Sequence, residues 1–532
     1  MRKLISILIC FAIVMTITPC MLIEASGATT YYVSPEGSDS GSGQSENDAW
    51  GSFKHAARQA QAGDTVIFKD GIYNEEEIIV FTNSGTENAK ITFKSENKQG
   101  AKIVCKKSNN AKINILKDYI VLEDFDFTQT DDDSLISNTS DILVRVRANN
   151  CEIRGNKFSN VYEEAVKLSA ARNVIVENNE ITGTGHEGID AVNAADCIIR
   201  NNTITDCGRT GVMIKGNSRN CQIYNNTIKN TNVSMTDGGH AFTVGGQTGI
   251  VPETTLGDWS ENTGFEAYNC VFYNNIVYCT DEKILNGFSF LGAKDCHVYN
   301  NVIYGAKNAF SFKTTDGIEN GWGWDVPNVT PVIKNNIVMN TSVAYNVADI
   351  PENMDSDYNL FYNAGSNVPT ETNSIVDKDP LFINAAGGDF SIPANSPVAK
   401  SGTALPTQIE GFEGFASIEG ITADKKIPVE QIDFKGKTRK TPYDIGAYNR
   451  DRVKTVQLLY EDFESGTEGN DVIGWNGWIN KSTDIPNDSF FKIQKESNTS
   501  NNLVGDLTRT KSDGESKTFT QVRENMPVLN LN

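Results

Sequence analysis

Basic and acidic side chains recur at regular spacing between residues 163 and 240. Lys167, Asp190 and Lys215 are separated by 23 and 25 residues, and Arg209 lies just before Lys215. A lysine amine can act as a base when neighbouring cations or burial depress its pKa. An arginine can neutralise a carboxylate on a bound molecule. These residue types therefore fit removal of a proton beside a carboxylate, if the fold brings them together.

The same stretch holds further groups that could do chemistry. Two of the four histidines lie in this stretch, His186 before Asp190 and His240 after Lys215. They extend the predicted catalytic residues to Lys215, Arg209, His240, Lys167 and His186. Asp190, Glu187 and Glu164 supply the hard oxygen ligands that Ca²⁺ prefers, and they form a predicted calcium site. The alternative reading is structural, because an outward lysine is usually solvated and Asp190 can equally form an ion pair with the two lysines.

A short pattern ending in asparagine repeats along the chain and indicates the fold. Its copies are 151–156, 174–179, 197–202, 221–226, 270–275, 296–301 and 331–336. A period near 23 residues indicates a solenoid. Each unit also contains a second run that alternates polar and apolar residues, which is typical of a strand. We predict an all-β parallel β-helix in which Lys167, Asp190 and Lys215 lie on successive coils, adjacent members about 5 Å apart.

Two residue types occupy equivalent positions in these repeats. The terminal asparagines should stack at a tight turn, where Asn tolerates a positive φ and its amide can bond the next coil. Five cysteines stand five residues earlier, at positions 151, 197, 221, 270 and 296. We interpret them as buried thiols rather than disulfides, because they share one position in the repeat. No Cys/His spacing typical of a zinc site is present.

The ends of the chain differ from the repeats. Residues 1–28 resemble a signal peptide, with Arg2 and Lys3 before an apolar run and small residues at Ser26–Ala28. An uncleaved anchor is the alternative. Residues 52–61 predict an N-terminal capping helix with Phe53 and three alanines on one face. We assign 29–450 to the β-helix and 456–532 to a short, partial β-sandwich resembling a carbohydrate-binding module.

Composition narrows the functional classes. Lys and Arg number 47 against 68 Asp and Glu, which gives a net charge of −21. This balance lacks the basic footprint that nucleic acid requires. No second long apolar stretch follows the N-terminal one, so we expect no stable membrane insertion. We expect a secreted monomer.

Several segments resemble secreted bacterial right-handed β-helix proteins of the pectin-lyase-like superfamily. They are 31–39, 50–60, 62–66, 71–73, 379–382 and 388–390. The likeness extends over about residues 29 to 450, and it implies a groove along one exposed sheet. It also implies an enzyme acting on polysaccharide. We expect a lyase that cleaves uronate chains by β-elimination using a Lys or Arg, with Ca²⁺ as the expected cofactor.

Two insertions are predicted to form a wall of this groove. They span 245–266 and 314–328 and leave the same turn on coils two apart. They carry the predicted substrate-binding residues Trp259, Trp322, Trp324 and Gln247. Exposed tryptophan suits stacking on sugars, whereas tryptophan that plugs a loop against the core is the alternative.

Two other functions stay open at this point. A glycoside hydrolase on the same fold would use a carboxylate pair, drawn from Glu187, Asp190 and Asp237. A noncatalytic glycan-binding solenoid is the third possibility, because fold alone does not fix function.

Overall fold

Three long parallel sheets wind around one core. The computed structural model describes residues 27–106, 110–130, 141–231, 239–248, 264–280, 283–316, 325–410 and 426–450, and three later strands. Two sheets have twelve strands and one has ten, and neighbours in each sheet are successive coils of the chain. The pairing is parallel throughout these sheets, so that Lys167, for example, lies beside Asp190 of the next coil. The predicted parallel β-helix is confirmed.

Each full coil contributes one strand to each sheet. The first sheet contains Thr30–Val33, Thr65–Phe68, Ile91–Ser95, Ile120–Glu123, Glu152–Arg154, Ile175–Glu177, Ile198–Arg200, Gln222–Tyr224, Val271–Tyr273, His297–Tyr299, Val332–Lys334 and Asp355–Asp357. The second contains Gly71–Glu75, Ala101–Lys106, Asp126–Thr130, Lys157–Val161, Glu180–Thr184, Thr203–Cys207, Thr227–Lys229, Ile276–Tyr278, Val302–Tyr304, Ile337–Met339, Leu360–Tyr362 and Ile375–Val376. The third contains Ile79–Val80, Ile113–Ile115, Val144–Val146, Val166–Ser169, Glu187–Val192, Thr210–Lys215, Gly239–Gly245, Ile284–Leu291, Asn308–Lys313 and Val343–Val347.

Identical side chains stack inside the solenoid. Phe242, Phe288 and Phe310 occupy paired positions in the third sheet, with ring centroids 4.8 and 5.7 Å apart. The five repeated cysteines are buried free thiols, which confirms the interpretation from the repeat. Each such position removes apolar surface from water on every coil, so the core is continuous from end to end.

A ladder of buried asparagines joins the coils at the turn between the first and second sheets. Asn226 accepts hydrogen bonds from the backbone and side-chain nitrogens of Asn202, both at 3.0 Å. Its own side-chain nitrogen donates to the carbonyl of Ile199 at 2.9 Å. The expected positive φ lies one residue earlier than predicted, as at Asn225 with φ 54°. The buried asparagine makes the inter-coil bonds, and its neighbour makes the left-handed turn.

The N-terminal end of the solenoid is covered by a helix at Phe53–Gln59. Ser52 caps it by accepting a hydrogen bond from the backbone of His55 at 3.1 Å. The face carrying Phe53, Ala56 and Ala57 is buried, as predicted. Short 3₁₀ helices lie at Glu46–Asp48 and Ala385–Gly387.

The later part of the chain covers two of the three sheets. Phe390, Ile392 and Val398 pack on outward apolar residues of the second sheet. Ile409 and Ile427 pack on the stacked tyrosines of the first sheet. In the described ranges neither cluster includes a third-sheet residue. Among the described residues, the outer face of the third sheet is therefore free of both apolar covers.

Further small sheets lie outside the three long ones. Three two-residue strands, Ser218–Arg219, Ala267–Tyr268 and Ala293–Lys294, form a short parallel sheet, and Gln408–Glu410 pairs with Lys426–Pro428. A second compact unit spans Asp451–Asn532 and contains an antiparallel sheet of Ser489–Lys495, Leu503–Thr510 and Ser516–Phe519.

The predicted signal peptide lies outside the described residues, apart from its last two positions. No helix among the described residues is long and apolar enough to cross a membrane.

Replacing Asn226 by leucine should destabilise the β-helix by at least about 2 kcal/mol, because buried hydrogen-bonding groups on both neighbouring coils lose their partners. The measurement is the urea midpoint of unfolding followed by circular dichroism. Asn88→Ala, at an exposed turn, is the control and should leave the midpoint unchanged. Equal midpoints for Asn226→Leu and the wild type would show that the ladder does not hold the coils together.

Candidate functional site

The outer face of the third sheet forms a groove of about 1360 Å³. Seven basic side chains line it: Arg145, Arg147, Lys167, Arg209, Lys215, Lys307 and Lys313. None of the described residues lining the groove is an aspartate or glutamate. The protein as a whole carries a net charge of −21. Positive charge is therefore concentrated at this groove, which favours a negatively charged ligand.

Strand register places the predicted residues more exactly than the repeat could. Lys167 pairs with Arg145 on one side and with Asp190 on the other. Asp190 then pairs with Met213, whereas Lys215 pairs with Val192. The prediction that Lys215 continues the column of Lys167 and Asp190 is wrong by two residues. The strand Thr210–Lys215 presents both Met213 and Lys215 on its outward side, and Met213 is the one in register with Asp190.

The lysine side chains nevertheless meet at Asp190. This residue is 0 % exposed, and its Oδ2 lies 2.8 Å from the Nζ of Lys167. The Nζ of Lys215 lies 3.5 Å from Oδ1 of the same carboxylate. Lys167 also contacts Oε1 of Glu164 at 2.8 Å. One buried carboxylate thus holds two lysines at the floor of the groove.

The two partners of this closest ion pair are fixed in their charged forms. Burial alone would raise the pKa of Asp190, but the charges of Lys167 and Lys215 lower it below its ordinary value. Burial alone would lower the pKa of Lys167, but Asp190 and Glu164 raise it. Lys167 is therefore a permanent cation at this position, which argues against its predicted role as a base. Lys215 has one ion-pair contact, with Asp190 at 3.5 Å, which is longer than the two contacts of Lys167 at 2.8 Å.

The carboxylates predicted to bind calcium do not fit that role. Asp190 is enclosed between two lysines, and Glu164 is paired with Lys167. Calcium needs six to eight oxygen ligands around an open position, and lysine ammoniums would occupy that space. In the part of the chain that the structure describes, no group of three or more His, Cys, Asp or Glu side chains is arranged to hold a metal ion. These three residues hold basic side chains instead.

Glu187 lies beneath the groove beside Arg209. It is 2 % exposed, and its Oε1 is 3.8 Å from the Nε of Arg209. Burial and the neighbouring charge of Asp190 raise the pKa of Glu187 to about 7. The Arg209 side chain is 52 % exposed, so it can reach a ligand. His186 is not among the groove-lining residues, and its carbonyl accepts the backbone N–H of Arg209 at 3.0 Å.

His240 lines the groove and is held by a chain of amides that the sequence analysis missed. The Nδ2 of Asn286 lies 2.9 Å from His240 Nδ1, and Asn308 Nδ2 donates to Asn286 Oδ1 at 2.8 Å. These residues are paired on successive strands. Burial and Arg209 lower the pKa of His240 to about 4, so the ring is neutral at pH 7. With Asn286 as donor to Nδ1, the ring proton is on Nε2.

The two insertions leave the third sheet where expected, after Gly239–Gly245 and Asn308–Lys313. Gln247 lines the groove, as its predicted role requires. Trp259, Trp322 and Trp324 lie outside the described residues, and so does Asp237. Their roles stay predictions. Of the remaining groove cations, Arg145 could have been found from sequence, because Val144–Val146 alternates as 166–168 does.

Asp190→Asn should lower stability by about 3 kcal/mol, because two partly buried lysines lose their shared counter-ion. Thermal unfolding at pH 7 measures this effect, with the exposed Asp377→Asn as the control. A melting temperature equal to that of the wild type would contradict the ion network.

Glu187→Gln should show the opposite, pH-dependent effect. Because the pKa of Glu187 is raised in the fold, the unfolded chain loses this proton from about pH 4.5, whereas the folded chain keeps it up to about pH 7. The free energy of unfolding therefore falls over this pH range, and the full loss is present above about pH 7. The variant should therefore melt above the wild type at pH 8, and this gain should shrink as the pH falls towards 5. The same shift at both pH values would show that Glu187 is not a buried, raised carboxyl.

Comparison with known proteins adds the fold relationship. Residues 31–179 match the family described as "Pel9A-like, right handed beta helix region". The matched range includes Lys167 and ends before Asp190, Arg209 and Lys215. Pectate lyase Pel9A superposes with a TM-score of 0.51 at 14% identity, covering 80% of this chain and 97% of that one. XylC, solved with xylose, gives 0.50 at 12%, covering 79% and 99%.

A third solved structure is alginate lyase from Paenibacillus sp. str. FPU-7, with a TM-score of 0.42 at 16% identity, covering 57% of this chain and 95% of that one. No curated protein sequence matches this chain. At these identities the likeness shows the fold alone. The chain has a right-handed parallel β-helix, as the sequence resemblance predicted, and this fold is shared with enzymes that act on polysaccharides.

Proposed function

We propose that this right-handed β-helix is a secreted polysaccharide lyase that cleaves uronate-containing polysaccharide by β-elimination in the third-sheet groove. The observation that carries the proposal is the groove lining, with seven basic side chains and no carboxylate among its described residues. A polyuronate presents a carboxylate on each sugar, and such a chain would replace its hydration with these cations. The fold shared with Pel9A, which is named as a pectate lyase, supports the same class.

Lys215 is the proposed base. Its amine removes the proton from C5 of a uronate, which is the carbon next to the carboxylate. Lys167 is unsuited because two carboxylates at 2.8 Å hold it as a cation. Lys215 has one contact at 3.5 Å, and Arg209 and Lys167 supply further positive charge nearby. Of the two lysines at Asp190, Lys215 is therefore the one with the longer ion pair, and its amine acts as the general base once it has lost its proton.

Arg209 and His240 complete the proposed reaction. Arg209 binds the uronate carboxylate and stabilises the negative charge that develops on it when the proton leaves. The electron pair then forms the C4–C5 double bond, and the bond from C4 to the glycosidic oxygen breaks. The Nε2–H of His240 donates a hydrogen bond to that oxygen, which takes up a proton from water. Lys215 returns its proton to solvent.

The glycoside hydrolase alternative has less support. Such an enzyme needs two carboxyl groups that flank the bond to be cleaved. Asp190 is enclosed by lysines and Glu187 is 2 % exposed, and neither lines the groove. The third residue considered, Asp237, lies outside the described residues. The present site is therefore better suited to elimination than to hydrolysis.

Turnover on a panel of polymers tests the proposal. Polygalacturonate, alginate, chondroitin, xylan and arabinan are each incubated with calcium or with a chelator. We expect an ultraviolet-absorbing unsaturated product from at least one uronate polymer and none from arabinan. New reducing ends without absorbance would indicate a hydrolase, and binding without turnover a glycan-binding protein, and either result contradicts the lyase. The chelator arm shows whether calcium is needed.

Lys215→Ala should abolish the unsaturated product, a loss of at least about 100-fold in kcat, because the proton would have no base. Its circular dichroism spectrum should match that of the wild type. The control is Lys98→Ala, which removes an exposed lysine outside the groove. Activity retained in Lys215→Ala would overturn the assignment of the base.

We propose that the protein is secreted, because residues 1–28 have a basic start followed by an apolar run and then small residues, which is typical of a signal peptide. N-terminal sequencing of protein recovered from the culture medium should begin near residue 29. Retention in the membrane fraction with an intact N-terminus would favour the anchor instead.

A further inference from the structure

The positive charge in the groove is not evenly distributed along the coils. Arg145, Lys167, Arg209 and Lys215 lie on or beside the coils from Val144–Val146 to Thr210–Lys215. Lys307 precedes the strand Asn308–Lys313, and Lys313 is its last residue. The two coils between these sets, with strands Gly239–Gly245 and Ile284–Leu291, place no lysine or arginine among the described groove-lining residues.

This uncharged section is about 14 Å long from cation to cation, since three inter-coil steps separate Thr210–Lys215 from Asn308–Lys313. Its floor carries hydroxyls and amides in register. Thr243 pairs with Ser289, and Ser289 with Ser311, while His240 pairs with Asn286 and Asn286 with Asn308. A carboxylate bound here would lose its hydration without gaining a cation, which is costly.

The polar groups in this section are suited to sugar hydroxyls. The Thr243 hydroxyl is buried and has no hydrogen-bond partner among the described residues. The chain from Asn308 through Asn286 to His240 holds a neutral imidazole with its N–H on Nε2. A sugar hydroxyl both donates and accepts, so it can satisfy the threonine hydroxyl, and the imidazole N–H stays available to the glycosidic oxygen.

We infer that the section formed by Thr243, Ser289, His240 and Asn286 is a binding site for an uncharged sugar unit. The substrate is then a mixed polymer in which neutral sugars interrupt the uronates, with uronates at the two cationic sets. This inference rests on the proposed lyase function and narrows its substrate class. It follows from the order of charges along the coils. A homopolymer of uronate carries a carboxylate on every sugar, so it would place carboxylates in the section without cations.

The first test compares mixed polymers with homopolymers. The probes are an alternating galacturonate–rhamnose polymer and hyaluronan, measured against polygalacturonate and polymannuronate of similar length. We expect kcat/KM for unsaturated product to be about 10-fold or more higher on one mixed polymer than on either homopolymer. A homopolymer cleaved best overturns the inference and leaves the lyase standing. No unsaturated product from any polymer overturns both.

Two variants test the section itself. Thr243→Val keeps the shape of the side chain and removes its hydroxyl, and it should lower kcat/KM on the mixed polymer about 10-fold, a larger loss than on the homopolymer. Ser289→Lys places a cation in the uncharged section and should shift the preference towards the homopolymer. The matched control is Thr203→Val, at an exposed position of the second sheet. Equal losses on both polymers for Thr243→Val would contradict a neutral-sugar site.

Discussion

Hydrogen bonding between coils in strict register is the constraint on which the rest of the molecule depends. Each coil places its residues about one strand spacing from the equivalent residues of the next. The asparagine ladder fixes this register at one turn, with bonds near 3.0 Å from coil to coil. Residues far apart in sequence therefore meet on one face. Lys167 and Asp190, 23 residues apart, form an ion pair only because their coils are stacked.

The site combines this scaffold with a buried counter-charge. Asp190 is enclosed in the third sheet and orients two lysines, while the groove above it has only cations and neutral groups among its described lining residues. A buried carboxylate is retained here because its lysine partners compensate its loss of hydration. The result is a fixed positive surface on an acidic protein. This surface attracts a polyanion, whereas the net negative charge on the rest of the protein repels one.

Much of the fold could be predicted from sequence because its signals repeat. The asparagines, the cysteines and the capping helix each occupy positions that the sequence pattern reveals, and all three are found as expected. The candidate site could be predicted less completely. The sequence could place Lys215 on the correct strand, but only strand pairing shows that it lies beside Val192 rather than Asp190. Asn286 reaches His240 through a register shift near Gly239, and no periodic pattern predicts such an irregularity.

The position of a bound uronate chain is the most direct consequence of the cationic groove. The decisive measurement is a crystal structure of the Lys215→Ala variant with a uronate-containing oligosaccharide. We expect a sugar chain running across the coils of the third sheet, with a carboxylate at Arg209 and the C5 hydrogen directed towards position 215. An oligosaccharide bound to either other sheet, or one whose carboxylates face solvent away from the groove cations, would contradict it.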